Sequence, residues 1–573
     1  MSRPNSNRVS NRRKPSGPSK TVRVAGIVLM ALVTVCLLLV LAYGVWRAVT
    51  PKPTPAPPVS LETVTPAPTV APGGKLVYGL TLAPSNIDPH VGASSELGIP
   101  LTSVYDTLIY QNVDGSFVPG LAERWEVSGD GLAYTFYLRH DVKFHDGTPF
   151  DAQAVQFNLD RIVNPETKSQ KARGLLGAYD HTEVVDPYTA KVYLTQPYAP
   201  FLDSVSQVYV GMASPTAVQQ WGTDYQLHQV GTGPFMFKEY VPQDHLTLVR
   251  NPDYNWAPDV YSHDGPAYLE EIEFRFFTDP AVRALALESG DADVMGEMPP
   301  QDAARLEANP EFTLYDVPVP GQPLQFFLNT AKAPTDDLRV RQALLYATDR
   351  QAIVQTIFMG YSPQAYGPLA AVTMGYDPAV EEMYAHDPVQ AEALLTEAGW
   401  TDTDGDGIRD KDGQPLVLQD YAQSWGYLPE VSEMLQAQLK DVGIDLQVQV
   451  VAFPAAMEAA KNSEHHLAAM VFSGSDPSIL NSTYLADNVD GGFNWSKMRD
   501  PELDRMLKEA MSAIDLTQRA NLYMQAQERI MELALVMPIR DYVNLNVSSA
   551  RVKGLQYDRR AWFPWLHDVH LEQ

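Results

Sequence analysis

The sequence predicts an α/β protein larger than one ordinary domain, and three observations carry that expectation. From Leu324 to Arg350 an apolar, strand-length segment passes through a Pro-Thr-Asp loop into a helix starting at Asp336 or Asp337. Between Val104 and Phe150 the texture is all β. There Asp114-Gly115 and Asp130-Gly131 separate short alternating runs, and Asp-Gly supplies the positive φ that tight hairpins need. Finally, 573 residues exceed one ordinary domain, and the last predicted helix, Thr517 to Glu532, leads into a proline-bearing strand near Val536.

Each element follows from its local pattern. A strand opens the body after Lys75, and Asp151 caps a helix that carries Val155, Leu159 and Ile162 on one face. Strands are expected within His245 to Asn255 and Leu269 to Phe277, and a helix across Ala281 to Leu287. In the helix after Asp337, Val340, Ala343, Leu344 and Ala347 form the packed face. Further helices run through Ala391, Leu394 and Leu395, and through Val431, Met434, Leu435 and Leu439. Another starts at Asp500 with Pro501 in the first turn and Leu503, Met506, Leu507 and Ala510 as its buried stripe.

Charge and cysteine content exclude several functions. The formal net charge is −28, yet residues 1–52 hold Lys and Arg and no acid, so the body is more acidic than the whole chain. Such a body is repelled by phosphate backbones, and no nucleic-acid partner is expected. The single cysteine, Cys36, lies in an apolar run outside the body. Disulfides, thiolate metal sites and thiol nucleophiles are therefore absent from the body.

The N-terminus reads as an attachment. Val24 to Trp46 is uncharged and long enough to span a bilayer core of roughly 30 Å. The Lys and Arg residues before it predict a cytoplasmic tail over 1–23, a single-pass transmembrane anchor over 24–46, and a body held extracellular or periplasmic. A cleaved signal peptide is the alternative, with Ala42-Tyr43-Gly44 as its cleavage candidate. Residues 47–74 are rich in Pro and Thr, a composition that favours a semi-rigid linker.

Two stretches resemble a known family. The run SVYDTLIYQNVDGSFVPGLAERWEVSGDGLAYTFYLRHDVKFHDGTPFDAQAVQFNLDRI, beginning at Ser103, and the segment DDLRVRQALLYATDR, beginning at Asp336, are similar to the extracellular solute-binding proteins of family 5, the dipeptide- and oligopeptide-binding proteins of ABC importers. The resemblance covers about Lys75 to the C-terminus. It implies a two-lobed, type II periplasmic-binding-protein-like fold of the large peptide-binder subclass. Lobe I would span 75–325 with an inserted β-rich subdomain at about 109–229, lobe II 326–538, and 539–573 would return to lobe I. In the family, the Gly231-Thr232-Gly233-Pro234-Phe235 run marks the return from the inserted subdomain; without a following helix-opening GK[ST] it does not read as a nucleotide loop.

The function implied is a bacterial receptor, expected to be monomeric, that captures a peptide or similar small solute between its lobes. It would deliver the solute to the permease subunits of an importer driven by a separate ATPase. The family's dipeptide binders place an acidic residue in the loop that here reads FSGSDPSIL, which makes Asp476, with Ser475 beside it, the ligand candidate. They also place an arginine before the helix at Val431, but Leu416 to Leu435 contains no Lys or Arg. That favours an oligopeptide over a dipeptide. Trp425 and Tyr427, in the same loop, offer faces for stacking on a ligand or for packing in their own lobe. The alternatives are a non-peptide solute, such as a sugar or metal chelate, and a membrane-tethered solute sensor.

No enzyme is expected, since HExxH, GxSxG, SxxK and Walker motifs are all absent, and no cofactor is implied. His140, Asp141, His145 and Asp146 read as a hairpin and its turn. His465, His466, His567 and His570 read as surface or core residues without matched ligand partners. Asp402, Asp404, Asp406 and Asp410 have the spacing of a calcium loop, but position 12 is Gly413 where an EF-hand needs a glutamate. A glycine-rich acidic turn is favoured there over a calcium site.

Overall fold

A computed structural model describes residues 72–84 and 86–572. The tail 1–23, the apolar run 24–46 and most of the Pro-rich linker lie outside the described residues. Among the described residues no helix is long and apolar enough to cross a membrane.

The body is organised by two large sheets. The first has seven strands in the order Phe312–Pro318, Val543–Ser549, Val294–Met295, Lys75–Leu80, Glu271–Phe276, His245–Arg250 and Phe235–Val241. Its centre is parallel, Lys75–Leu80 pairing with Glu271–Phe276 from Lys75↔Glu271 to Leu80↔Phe276. The second has five strands in the order Asp445–Val451, Val417–Gln423, Leu467–Ser473, Gly321–Leu328 and Val536–Arg540. Each sheet builds its own core. Leu76, Tyr78, Ile272 and Phe274 belong to one, and Phe326, Phe327, Leu418 and Met537 to the other.

Between Lys75–Leu80 and Phe235–Val241 the chain forms a four-stranded antiparallel sheet, ordered Ala122–Val127, Ala133–Leu138, Thr189–Leu194 and Tyr179–Asp186. The Asp130-Gly131 hairpin joins its first two strands, and Gly131 has φ +69. Asp151 caps the helix Ala152–Val163, its carboxylate accepting from the Ala154 amide. Val155, Leu159 and Ile162 are buried there. The Gly-Thr-Gly run has a packing explanation, since a Cβ at Gly231 would sit 2.0 Å from the Val104 carbonyl oxygen. These glycines let two backbones approach closely.

The chain passes between the two sheets twice. Phe312–Pro318 lies in the first and Gly321–Leu328 in the second, so one crossing is Val319-Pro320. Val536–Arg540 and Val543–Ser549 place the other at Asp541-Tyr542. The expected lobe boundary at 325/326 therefore falls inside a strand of the second sheet, and the boundary at 538/539 inside its edge strand. Local pattern does not reveal where a chain changes sheets, because both halves of such a connection are strand, partly exposed over Phe312–Pro318 and buried over Gly321–Leu328. The crossings touch, the Val319 amide donating to the Tyr542 carbonyl at 2.8 Å.

Candidate functional site

The crossings gather buried charged and aromatic side chains. At one of them the Arg540 guanidinium lies 3.9 Å from the Phe358 ring centroid and 4.5 Å from that of Tyr542, and donates to Ser362 Oγ at 2.7 Å. Desolvation lowers its pKa to about 10. The neighbouring Asp541 accepts from the Ala371 amide at 2.9 Å, and burial pushes its carboxyl up to about 7. Tyr542 carries an aromatic row. Trp425 lies parallel to it at 6.4 Å and 2°, and Trp562 follows at 5.7 Å.

From Trp562 the row reaches a cavity of about 370 Å³ between the lobes. Lys171, Tyr198, Asp203 and Arg560 line it from the first lobe, and Ser475 and Asp476 from the second. Asp203 is the junction. Its carboxylate accepts from Arg560 at 3.0 Å, from Gln207 at 2.9 Å and, across the cleft, from Ser475 Oγ at 2.5 Å. A second bond crosses between lobes where the Ala199 amide donates to the Met511 carbonyl at 2.9 Å. Lys171 sits 4.0 Å from the Tyr209 ring centroid, and burial, aided by Arg560, lowers its pKa to about 8.

A carboxylate pair lies in lobe I, where Glu297 lines a separate small cavity with Arg540 and Tyr542. Burial raises Glu96 to about 6, and the neighbouring Glu297 adds to the shift. Burial raises Glu297 as well. Arg283 faces them, donating to the Glu297 carbonyl at 2.8 Å and the Phe277 carbonyl at 3.2 Å.

Ser475 and Asp476 thus meet at one cavity. Asp476, however, is held by Arg519, which donates to its two oxygens at 2.8 and 2.6 Å, and it also caps the Ser478 amide at 2.8 Å. Burial alone would lower the Arg519 pKa, but the Asp476 carboxylate outweighs it and the net shift is upward. Trp425 and Tyr427 stand apart, near the crossings. Trp425 is 46% exposed and stacks on Tyr542, while Tyr427 is half-buried with its ring edge-on to Phe358 at 5.8 Å.

In the acidic turn, Asp402, Asp404 and Asp410 lie near one another, and Asp406 is not in that group. Their oxygens serve the turn itself. Asp402 accepts from the Gly405 and Gly407 amides at 2.7 and 3.1 Å, and Asp410 from the Thr403 amide at 2.9 Å.

Sequence reasoning missed Asp203, Arg560, Trp562, Tyr542 and Glu297. Ser475 and Asp203 are 272 positions apart, beyond any local pattern. The run Asp558-Arg559-Arg560-Ala561-Trp562-Phe563 was the available signal, because adjacent arginines beside aromatics are unusual in a chain this acidic.

Comparison with known proteins gives one answer. Residues 116–494 match the model of bacterial extracellular solute-binding proteins, family 5 middle. The glutathione-binding protein GsiB of Salmonella paratyphi A is 30% identical over 469 residues, covering 79% of this chain and 86% of that protein. The nickel-binding periplasmic protein of Escherichia coli K12 is 29% identical over 477 residues, covering 81% and 88%. Among solved structures, NikA from Brucella suis in complex with Fe(III)-EDTA superposes with a TM-score of 0.77 at 26% identity, covering 87% of this chain and 100% of that one. The oligopeptide-binding protein AppA from Bacillus subtilis, in complex with a nonapeptide, shares the fold at a TM-score of 0.71 and 22% identity, covering 88% and 100%. With two thirds of its length under the family model and relatives aligned along most of the body, the chain belongs to the bacterial extracellular solute-binding proteins of family 5.

Proposed function

We propose that this protein captures a peptide between its lobes and passes it, chemically unaltered, to the permease of an ABC importer driven by a separate ATPase. The observation that carries this reading is the cavity of about 370 Å³ lined by side chains of both lobes and bridged by the bond from Ser475 to Asp203. Its volume lies within the range of roughly 300–1,000 Å³ usual for ligand sites. A solute entering there touches both lobes at once and so favours their closed arrangement.

The charges in the cavity favour a peptide longer than two residues. A dipeptide presents an ammonium and a carboxylate close together and needs a free charge for each. Asp476 is already matched by Arg519 and Asp203 by Arg560. Lys171, which lines the cavity, remains as the cation facing a carboxylate end. The aromatic row from Trp562 to Trp425 supplies faces that tolerate varied side chains. The relative named for glutathione supports a peptide-like solute. A second reading, a metal chelate, is favoured by the nickel-binding relative and by the Fe(III)-EDTA complex of NikA.

The protein acts as a monomer held at the cell membrane. Val24 to Trp46 anchors it, the flanking Lys and Arg keep residues 1–23 cytoplasmic, and the Pro-rich linker holds the body outside. Binding, with no bond made or broken, is its whole activity.

Thermal melts of the detergent-solubilised full-length chain test the reading. The panel is glutathione, tri-, tetra- and penta-alanine, glucose, and nickel with and without EDTA. Tri- to penta-alanine are expected to raise the melting point, by the equivalent of about 2.7 kcal/mol when present at one hundred times Kd. They should be recovered with unchanged mass. A shift with nickel-EDTA alone would favour the chelate reading, and hydrolysis of any peptide would contradict a binding-only role.

A further inference from the structure

Arg540, at the end of the strand Val536–Arg540, is a buried cation whose hydrogen-bonding capacity is largely unused. It is 5% exposed, and among the described residues it forms no ion pair. The carboxylate beside it in sequence, Asp541, accepts instead from the Ala371 amide at 2.9 Å. A guanidinium carries a fork of N–H donors and no acceptor. Among side chains, only Ser362 Oγ accepts from it, at 2.7 Å, and its Nε is buried with no partner. Phe358 and Tyr542, at 3.9 and 4.5 Å, attract the charge through their ring faces, but they supply no lone pair to the N–H groups.

Arg540, Phe358, Ser362, Glu297 and Tyr542 line one cavity of about 50 Å³. Its size decides what fits. A water molecule takes roughly 30 Å³ of liquid, so there is room for a halide or a carboxylate head. A whole peptide needs a site several times larger. The lining supplies further donors. Ser362 accepts from Arg540 and keeps its own O–H to donate. Glu297 forms no ion pair with Arg540, and burial raises its pKa, which favours the neutral acid that donates. Glu297 also has φ +46, a left-handed backbone that a side chain rarely adopts and that recurs where a site is built.

The alternatives fit less well. A cation in this cavity would be repelled by Arg540, which stays charged at neutral pH with a pKa of about 10. A neutral solute would supply acceptors but leave the buried charge unmatched, at a cost that pairing removes. A small anion supplies both.

We propose that this cavity binds one small monovalent anion, a halide or a carboxylate group, at the Arg540 guanidinium. The site is distinct from the cavity of about 370 Å³ and does not depend on what that cavity holds. Its lining joins the two lobes. Phe358 and Ser362 belong to the second, and Val543 and Leu545, on a strand of the seven-stranded sheet, to the first. A bound anion therefore adds a contact between lobes at the crossing itself. The local cation is essential, because a chain of net charge −28 repels anions in general.

The test uses the full-length chain in non-ionic detergent, dialysed into sodium gluconate, whose anion is too large for the cavity. Sodium chloride is titrated in, and the chlorine-35 NMR line width reports exchange with bound chloride. The native chain should show saturable broadening that sodium formate reverses, and Arg540→Gln should weaken binding by about tenfold or more. Tri-alanine then separates the two sources of anion. Its displacement of chloride would assign the site to a solute carboxylate, and chloride retained beside it would assign a resident inorganic ion. If circular dichroism shows that Arg540→Gln does not fold, crystals of the native chain soaked in sodium bromide decide, with an anomalous peak expected against the Arg540 guanidinium. Absence of saturable broadening in the native chain, its persistence in folded Arg540→Gln, or bromide found only elsewhere would overturn the proposal.

Discussion

Arg519 decides what Asp476 can do. Its side chain retains 4% exposure and that of Asp476 10%, and the two meet through paired hydrogen bonds. Removing one partner of a buried pair strands the other charge, at a cost of about 3 kcal/mol or more. Asp476→Asn is therefore expected to lower the stability of the chain in urea by that amount while peptide affinity, measured below the transition, changes little. Near-normal stability with collapsed affinity would instead make Asp476 a ligand group. At this scale the sequence was only partly legible. The acidic residue in FSGSDPSIL stands out, but it lies in a loop and Arg519 lies 43 positions away on the helix Leu516–Glu532, and nothing local assigns one to the other. Trp425 and Tyr427 stand out as aromatics in a loop; only the fold places Tyr542 against Trp425 and Phe358 against Tyr427.

At the scale of elements the informative pieces are the two crossings. Asp541 sits in one of them, with a carboxyl raised by burial to about 7 against roughly 3.9 in an unfolded chain. A raised folded-state pKa means the native form holds the proton more tightly, so this group's contribution is full below about pH 4 and is lost as pH rises through about 7. The whole effect is at most about 4 kcal/mol. Asp541→Asn should flatten the fall in melting temperature between pH 4 and pH 7, and an unchanged slope would show that the group titrates normally. Elements with strong local chemistry were readable in advance. The helix Pro501–Ser512 has its Asp500 cap, its first-turn proline and its buried Leu503, Met506, Leu507 and Ala510. Short helices such as Phe201–Val205 and Ile479–Tyr484 were not, because a single turn or two shows no periodicity. Nor does a strand announce its partner. Lys75–Leu80 pairs with Glu271–Phe276 from almost two hundred positions away, on the strength of tertiary packing.

At the scale of the whole molecule, two cores, two crossings and a cavity between them describe a device that closes on what it holds. The bond from Ser475 to Asp203 exists only when the lobes meet, and a hydrogen bond to a charged group contributes about 1.5–3 kcal/mol. Ser475→Ala should therefore speed release of the alanine peptide giving the largest melting shift by about tenfold or more, with little change in its association rate. An unchanged release rate would mean that this contact does not hold the lobes together. The two-lobed plan was legible because a resemblance spanning most of the body supplied it, whereas the residues at which the chain changes lobes required the sheets themselves. The central claim, that one solute is gripped by both lobes at once, is tested most directly by hydrogen exchange on the full-length chain with and without that same peptide at saturation. The account predicts simultaneous protection of residues 473–476 in the second lobe and 559–563 in the first, and protection confined to one lobe would contradict it.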